Sequence, residues 1–283
     1  MSASTPNPAC ADSDPWDPAP LDPAARDPAL SADAIADRLR AAGCVFAAEE
    51  AQLLIQSAGS PAALRAMVGE RVSGVPLEHV VGWAEFCGLR IVVQPGVFVP
   101  RRRSEFLARS ASRLCRPGAM VIDLACGSGA IGAAIAALAG NVQVHAVDID
   151  QGAVACARRN LTSVGGQVYA GDLYEPLPGR LRGAVSVIAA NLPYVPTEAV
   201  ATMPAEARIY EPLVALDGGV DGLDLLRRAA ADAPGWLTPG GHLLIETASG
   251  QTQAAAAAFP AAGLTPSVAR DSELGATIVI GQS

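Results

Sequence analysis

The sequence predicts an α/β fold: a mostly parallel, doubly wound sheet with an antiparallel edge strand, behind a small N-terminal helical domain. Three observations carry this. From Met120 onward, strand-like and helix-like segments alternate, the pattern of parallel strands joined by crossover helices. Between residues 29 and 82 the text is instead a series of short amphipathic helices. The chain of 283 residues, 51% hydrophobic and 17% charged, is long and apolar enough for one or two packed domains and excludes global disorder.

The elements follow in order. Residues 1–28 form an expected disordered tail, with Asp-Pro at Asp14-Pro15, Asp17-Pro18, Asp22-Pro23 and Asp27-Pro28 denying it regular hydrogen bonding. Ser31 caps a helix with Ile35 and Leu39 on one face. A second helix covers Ala47–Ala58 and a third starts at Pro61, carrying Leu64 and Val68; these make up the domain 29–82. Residues 83–99 hold two short strands around a Cys87-Gly88 turn, a linking hairpin that opens the domain 83–283. In that domain strands are expected at Met120–Leu124, Val142–Val147, Gln167–Ala170, Val185–Ala190 and His242–Glu246. Helices are expected at Ala130–Ala139, Gln151–Leu161, Leu223–Ala233 and Gln251–Phe259. Two consecutive strands at Leu264–Arg270 and Ala276–Ile280 supply the antiparallel edge.

Several function classes are disfavoured. The formal charge is −8, where an electrostatic nucleic-acid binder carries a basic face. The six cysteines include no C-x-x-C pair and there are three histidines, so neither a zinc site nor a disulfide framework is expected and no metal is assigned. Free thiols suit a reducing cytoplasm. The N-terminus has no basic, apolar leader. The uncharged run Leu124–Val147 is broken by Gly127, Ser128, Gly129, Gly140 and Asn141, which argues against a membrane span.

Asp123-Leu124-Ala125-Cys126-Gly127-Ser128-Gly129 joins the end of a strand to an apolar helix. By itself this is also a tight βα turn, but glycine there lets backbone approach a ligand, and the helix start offers free N–H groups. The next strand ends at Asp148, suited to accept both ribose hydroxyls of an adenosine ligand. Asp172-Leu173 follows the third strand, where an acid can accept from an adenine amino group or cap a helix. Neither G-x-G-x-x-G nor G-K-[ST] is present, so S-adenosyl-L-methionine fits better than a dinucleotide or ATP.

The fourth strand runs into Asn191-Leu192-Pro193-Tyr194, which resembles the Asn-Pro-Pro-Tyr motif of methyltransferases acting on planar nitrogens. Such a nitrogen has its lone pair delocalised and is a poor nucleophile. The Asn191 side-chain oxygen and the Leu192 carbonyl can each accept one N–H, and the Tyr194 ring can cover the flat acceptor. Orientation of this kind supplies several of the roughly 7–11 kcal/mol available from positioning.

Further blocks are similar to the release factor glutamine methyltransferase family (the HemK/PrmC type): Pro76–Leu89, Pro95–Arg101, Glu211-Pro212 and Ala215–Asp224. The resemblance covers nearly everything after residue 30. It implies a class I, Rossmann-like methyltransferase with S-adenosyl-L-methionine as cofactor, held by Asp123, Ala125, Cys126, Gly127, Ser128, Gly129, Asp148, Asp172, Leu173 and Asn191. Asn191, Leu192, Pro193 and Tyr194 are the implied catalytic loop. The implied reaction is N5-methylation of a glutamine in a protein partner, the Gly-Gly-Gln loop of a peptide chain release factor, with 29–82 as the docking domain and no membrane or nucleic-acid partner. The chain departs from the family pattern at Ala125 (usually Gly), at Leu192 (usually Pro) and at Arg102-Arg103, where Pro-Glu is usual; it is identified as a divergent member. Arg101–Arg103 reads either as an anion-facing patch or as a solvated turn. Two other readings stay open: an adenine-N6 nucleic-acid methyltransferase, which shares the Asn-x-Pro-Tyr logic, and a non-catalytic binder of the same cofactor.

Overall fold

The computed structural model describes residues 27–283. Of the tail expected over residues 1–28, residues 1–26, with the first three Asp-Pro pairs, lie outside the described residues. Asp27 and Pro28, the last two positions of that tail, are instead part of the first helical turn, where Asp27 accepts from the Ala29 N–H at 3.0 Å and pairs with Arg65 at 2.7 Å. The chain divides into two compact units, one ending at Val81 and one spanning Gly82–Ser283.

The first unit is helical: α1 (Ala32–Ala41), α2 (Ala47–Ser57), α3 (Pro61–Val72) and α4 (Leu77–Val81). Ser31 and Ser60 accept from the N–H groups of Ala34 and Ala63, satisfying donors that a helix start leaves free. Ile35, Leu39, Leu54, Leu64 and Val68 form the core. Beside it, Glu50 and Arg71 make a two-bond ion pair at 2.6 and 3.2 Å. The short α4 was not expected from the sequence.

The second unit opens with a hairpin, β1 (Trp83–Phe86) and β2 (Leu89–Val92). Its turn residues Cys87 and Gly88 both have positive φ, 52° and 76°, the two-residue geometry that suits strand twist. Then follow α5 (Glu105–Leu114), β3 (Ala119–Leu124), α6 (Ala130–Ala139), β4 (Val142–Asp148), α7 (Gln151–Leu161), β5 (Gln167–Ala170) and β6 (Val185–Ala190). Two short helices, α8 (Thr197–Val200) and α9 (Ala205–Tyr210), precede α10 (Asp224–Asp232), β7 (Leu237–Glu246), α11 (Thr252–Ala261), β8 (Thr265–Asp271) and β9 (Ala276–Gln282). Helix α5 is absent from the sequence reading, although its apolar stripe is continuous and Arg109 and Arg113 fall on its exposed face. Leu107, Ala108 and Ala111 on that stripe are fully buried.

The seven-stranded sheet has the order β5-β4-β3-β6-β7-β9-β8. Strands β5, β4, β3, β6 and β7 are parallel, and β9 pairs antiparallel with both β7 and β8. The antiparallel margin is as expected; that the last strand inserts inside the penultimate one is decided by packing. Ile122, Leu124 and Ile188 fill one face of the sheet and Val121, Val144 and Ile135 the other. Truncating a buried side chain such as Ile122 to Ala costs roughly 2–5 kcal/mol. Winding reverses between β3 and β6, so the loops leaving β3, β4, β5 and β6 gather at one edge, the place where open α/β sheets bind ligands.

Candidate active site

A cavity of about 370 Å³ opens at that edge. Its walls come from the four loops just named and the helix starts they lead into, from two further segments, 96–104 and 203–216, and from Phe86, Leu225 and Arg228.

The turn after β3 holds Ala125, Gly127 and Gly129 at φ 54°, 54° and 78°. Glycine adopts this region freely, whereas alanine does so at about 1–2 kcal/mol. The Ala125 departure therefore acts on the backbone as well as narrowing the cavity it lines. Cys126, Gly127 and Ser128 line the cavity too. Gly129 does not: it starts α6, and a Cβ there would stand 3.1 Å from that of Ala157. Asp123 also lies off the wall. It is fully buried, accepts from the Gly132 N–H at 2.8 Å through Oδ2, and its Oδ1 finds no hydrogen-bond partner. Burial pushes its carboxyl up to about 7. These two sequence-predicted ligand contacts shape the turn from behind.

Asp148, at the end of β4, faces the cavity and holds the turn: Oδ2 accepts from the Gly127 N–H at 2.8 Å and Oδ1 from the Asp150 N–H at 2.9 Å. Burial raises its pKa against the pull of these bonds. Asp172 and Leu173 complete this end, Leu173 at φ 44°. Asp172 does not stand free; it pairs with Arg228 at 2.6 Å, and both line the cavity.

All four residues of the Asn191–Tyr194 loop line the same cavity. Asn191 Nδ2 donates to the buried Ser104 Oγ at 3.4 Å, while its Oδ1 accepts from no described residue. Leu192 offers the site more than a carbonyl acceptor. Its side chain is 2% exposed and packs in the core with Leu223 and Leu226, so it also carries load as a hydrophobic residue.

Sequence reasoning did not place the arginine side of the cavity wall. Arg101 and Arg103 both line the cavity, and neither is simply solvated or free for nucleic acid. Arg101 pairs with the buried Glu211 at 2.6 Å, and Glu211 also accepts from the Val99 N–H at 3.2 Å. Arg103 donates to Glu246 at 2.9 Å and to the Tyr194 hydroxyl. Burial raises the Tyr194 phenol pKa while Arg103 opposes the shift. Arg102 alone of the three is exposed. The available signal was the family-like block ending at Arg101 and the departure from the family pattern at Arg102-Arg103.

The donor set suits an adenosine-containing cation. A carboxylate at the end of the second strand, a left-handed glycine turn and apolar flanks at Ile149 and Leu173 fit S-adenosyl-L-methionine. No cluster of metal-ligating side chains exists among the described residues, and none of the described helices is long and apolar enough to cross a membrane.

Comparison with known proteins bears on the same segment. The family model "Methyltransferase small domain" matches residues 88–219. The release factor glutamine methyltransferase of Geobacter sulfurreducens is 39% identical over 204 residues, 71% of either chain. The 4-amino-L-phenylalanine/4-methylamino-L-phenylalanine methyltransferase of Streptomyces pristinaespiralis is 34% identical over 203 residues, 69% of either chain. A methyltransferase crystal structure from Pyrococcus furiosus superposes with a TM-score of 0.51 at 18% identity, covering 69% of this chain and 89% of that one; at that identity the likeness speaks to fold alone. The chain has the Rossmann-like methyltransferase fold, its methyl donor is S-adenosyl-L-methionine, and it belongs to the release factor glutamine methyltransferase family.

Proposed function

We propose that this chain methylates the side-chain amide nitrogen of a glutamine in a protein, with the Gly-Gly-Gln loop of a peptide chain release factor as its target and the cytoplasm as its compartment. The observation that carries the reading is that Asn191–Tyr194 and Asp148 share one cavity, so an acceptor nitrogen and the methyl donor meet there. Asp148, the turn 125–128 and Leu173 would hold the cofactor, which supplies an electrophilic methyl group when bound. Asn191 Oδ1 and the Leu192 carbonyl would accept the two N–H groups of the amide, aiming its nitrogen at that methyl. Tyr194 would cover the planar group. Asn191 takes no proton at neutral pH, so its work is orientation.

The two acceptors named among the relatives, a glutamine amide and an arylamine, have in common a nitrogen conjugated to a π system. That agrees with a loop built to orient planar nitrogen. The helical unit is assigned to holding the body of the protein partner.

The test offers labelled cofactor with purified release factor, with release factor whose loop glutamine is replaced, with 4-amino-L-phenylalanine, and with duplex DNA. Label on the intact release factor alone supports the proposal. Label that survives replacement of the glutamine, or appears only on the arylamine or the DNA, removes it. No turnover with any acceptor, despite cofactor binding, would favour a non-catalytic binder.

A further inference from the structure

Gln251 stands at the start of α11, outside the cavity wall and outside every motif used above. Its amide nitrogen donates to two backbone carbonyls, that of Tyr194 at 2.9 Å and that of Asp221 at 2.9 Å. Two carbonyl partners fix the amide's orientation, because only its NH2 can serve both. Its Oε1 is buried with no hydrogen-bond partner, an arrangement that disfavours folding and that mere space-filling by a methionine or leucine would avoid.

The contact lies at a crowded junction. Gly222 has φ 77°, and a Cβ there would stand 2.2 Å from the Tyr194 carbonyl oxygen and 2.5 Å from Gln251 Nε2. A Cβ on Gly218 would stand 2.6 Å from the Pro193 carbonyl oxygen. The glycine-rich turn 217–222 therefore presses directly on the back of the acceptor loop. Backbone bonds zip the two segments together from Val195 onward: the Val195 N–H donates to Leu216 at 3.1 Å, and Gly218 donates to Val195 at 2.8 Å. Within the loop, Pro193 offers no N–H. Gln251 supplies the tie one residue closer to the reacting centre.

We propose that Gln251 is a positioning residue for methyl transfer: by donating to the Tyr194 and Asp221 carbonyls it locks the Asn191–Tyr194 loop onto the 217–222 turn and sets the height of the acceptor slot. This rests on the reading of Asn191–Tyr194 as the acceptor loop.

The experiment uses the full chain and a substrate for which turnover has been found, comparing Gln251→Met, Gln251→Glu and Asn191→Ala, each checked for cofactor Kd and Tm. Gln251→Met fills the space without donors. Gln251→Glu keeps the shape almost unchanged but sets a carboxylate against two carbonyl oxygens. The expected result is a kcat loss of roughly 10–100-fold for Gln251→Met and a larger one for Gln251→Glu, with cofactor Kd within about twofold of the parent, as for an interaction felt at the reacting nitrogen. A packing role would rank the two variants the other way, since glutamate is the closer shape. Normal kcat in both Gln251 variants beside an inactive Asn191→Ala overturns the Gln251 proposal alone. Normal kcat in Asn191→Ala overturns the acceptor-loop reading and this proposal with it. If Gln251→Met does not fold, Gln251→Glu decides: normal kcat there overturns the proposal.

Discussion

Arg103 donates to the hydroxyl of Tyr194 and, through Nε, to Glu246 at 2.9 Å. One side chain thus holds a ring that lines the cavity and neutralises a carboxylate that is 2% exposed. The Arg103 guanidinium also lies over the Tyr194 ring, 5.9 Å from its centroid.

Replacing Arg103 should therefore damage both stability and rate. Leaving Glu246 buried without its cation costs on the order of 1–3 kcal/mol, less than a fully buried pair because Arg103 is partly solvated. Arg103→Gln should lower Tm modestly and reduce kcat through a loosened Tyr194. Arg103→Glu, which sets two acids together, should be worse on both counts. Thermal unfolding and initial rates check this; an Arg103→Glu variant as stable as the parent would show that the pair is dispensable.

Asp148→Ala should weaken S-adenosyl-L-methionine binding by about 1–3 kcal/mol, the scale of charge-assisted hydrogen bonds. It also releases the Gly127 and Asp150 N–H groups that the carboxylate now holds. Titration calorimetry giving an unchanged Kd would exclude Asp148 as a ribose anchor.

Asp123 gives the fold a pH dependence. Its carboxyl rises from 3.8 to about 7 on folding, chiefly through burial, with the neighbouring Asp148 charge adding to it. A raised carboxyl pKa means that folding favours the protonated form. Its contribution to stability is complete below the ordinary carboxylate range and is lost as pH rises through about 7. Asp123→Asn keeps an acceptor for Gly132 without titrating. With no cofactor added, the Tm of the parent should fall relative to that of Asp123→Asn between about pH 5 and pH 8. Parallel curves would refute the assignment.

Leu192→Pro restores the family residue but removes a buried side chain. It should cost roughly 1–3 kcal/mol of stability through lost packing, while the activity of the folded fraction is kept because the carbonyl remains. A large fall in kcat at unchanged Tm would mean the loop here depends on leucine itself.

Ala125→Gly should prove neutral or stabilising, since relief of a left-handed alanine, about 1–2 kcal/mol, exceeds the flexibility that glycine adds. The same change at the buried helical Ala134 should cost about 1 kcal/mol. Comparing their melting curves isolates the backbone effect; equal losses at both sites would contradict it.

The sequence by itself determined the parallel sheet and the residues at its strand ends. Apolar runs such as Val185–Ala190 bounded by turn residues specify buried strands through local chemistry alone. Asp148 and Asn191–Tyr194 were legible as cavity residues because they stand at strand ends and because the proposed chemistry, holding an adenosine cation and aiming a planar nitrogen, calls for such side chains there. Tertiary structure alone decided which side chains meet across distance. Arg103 touches Glu246 143 residues further along the chain, and Gln251 reaches Tyr194 across 57. No local periodicity encodes such partners; they follow from sheet order, which brings the loops after β6 and β7 beside the segment before α5. For the same reason, Asp123 and Gly129 were legible as members of a ligand-binding turn, but their position behind the cavity wall depends on packing against α6 and α7.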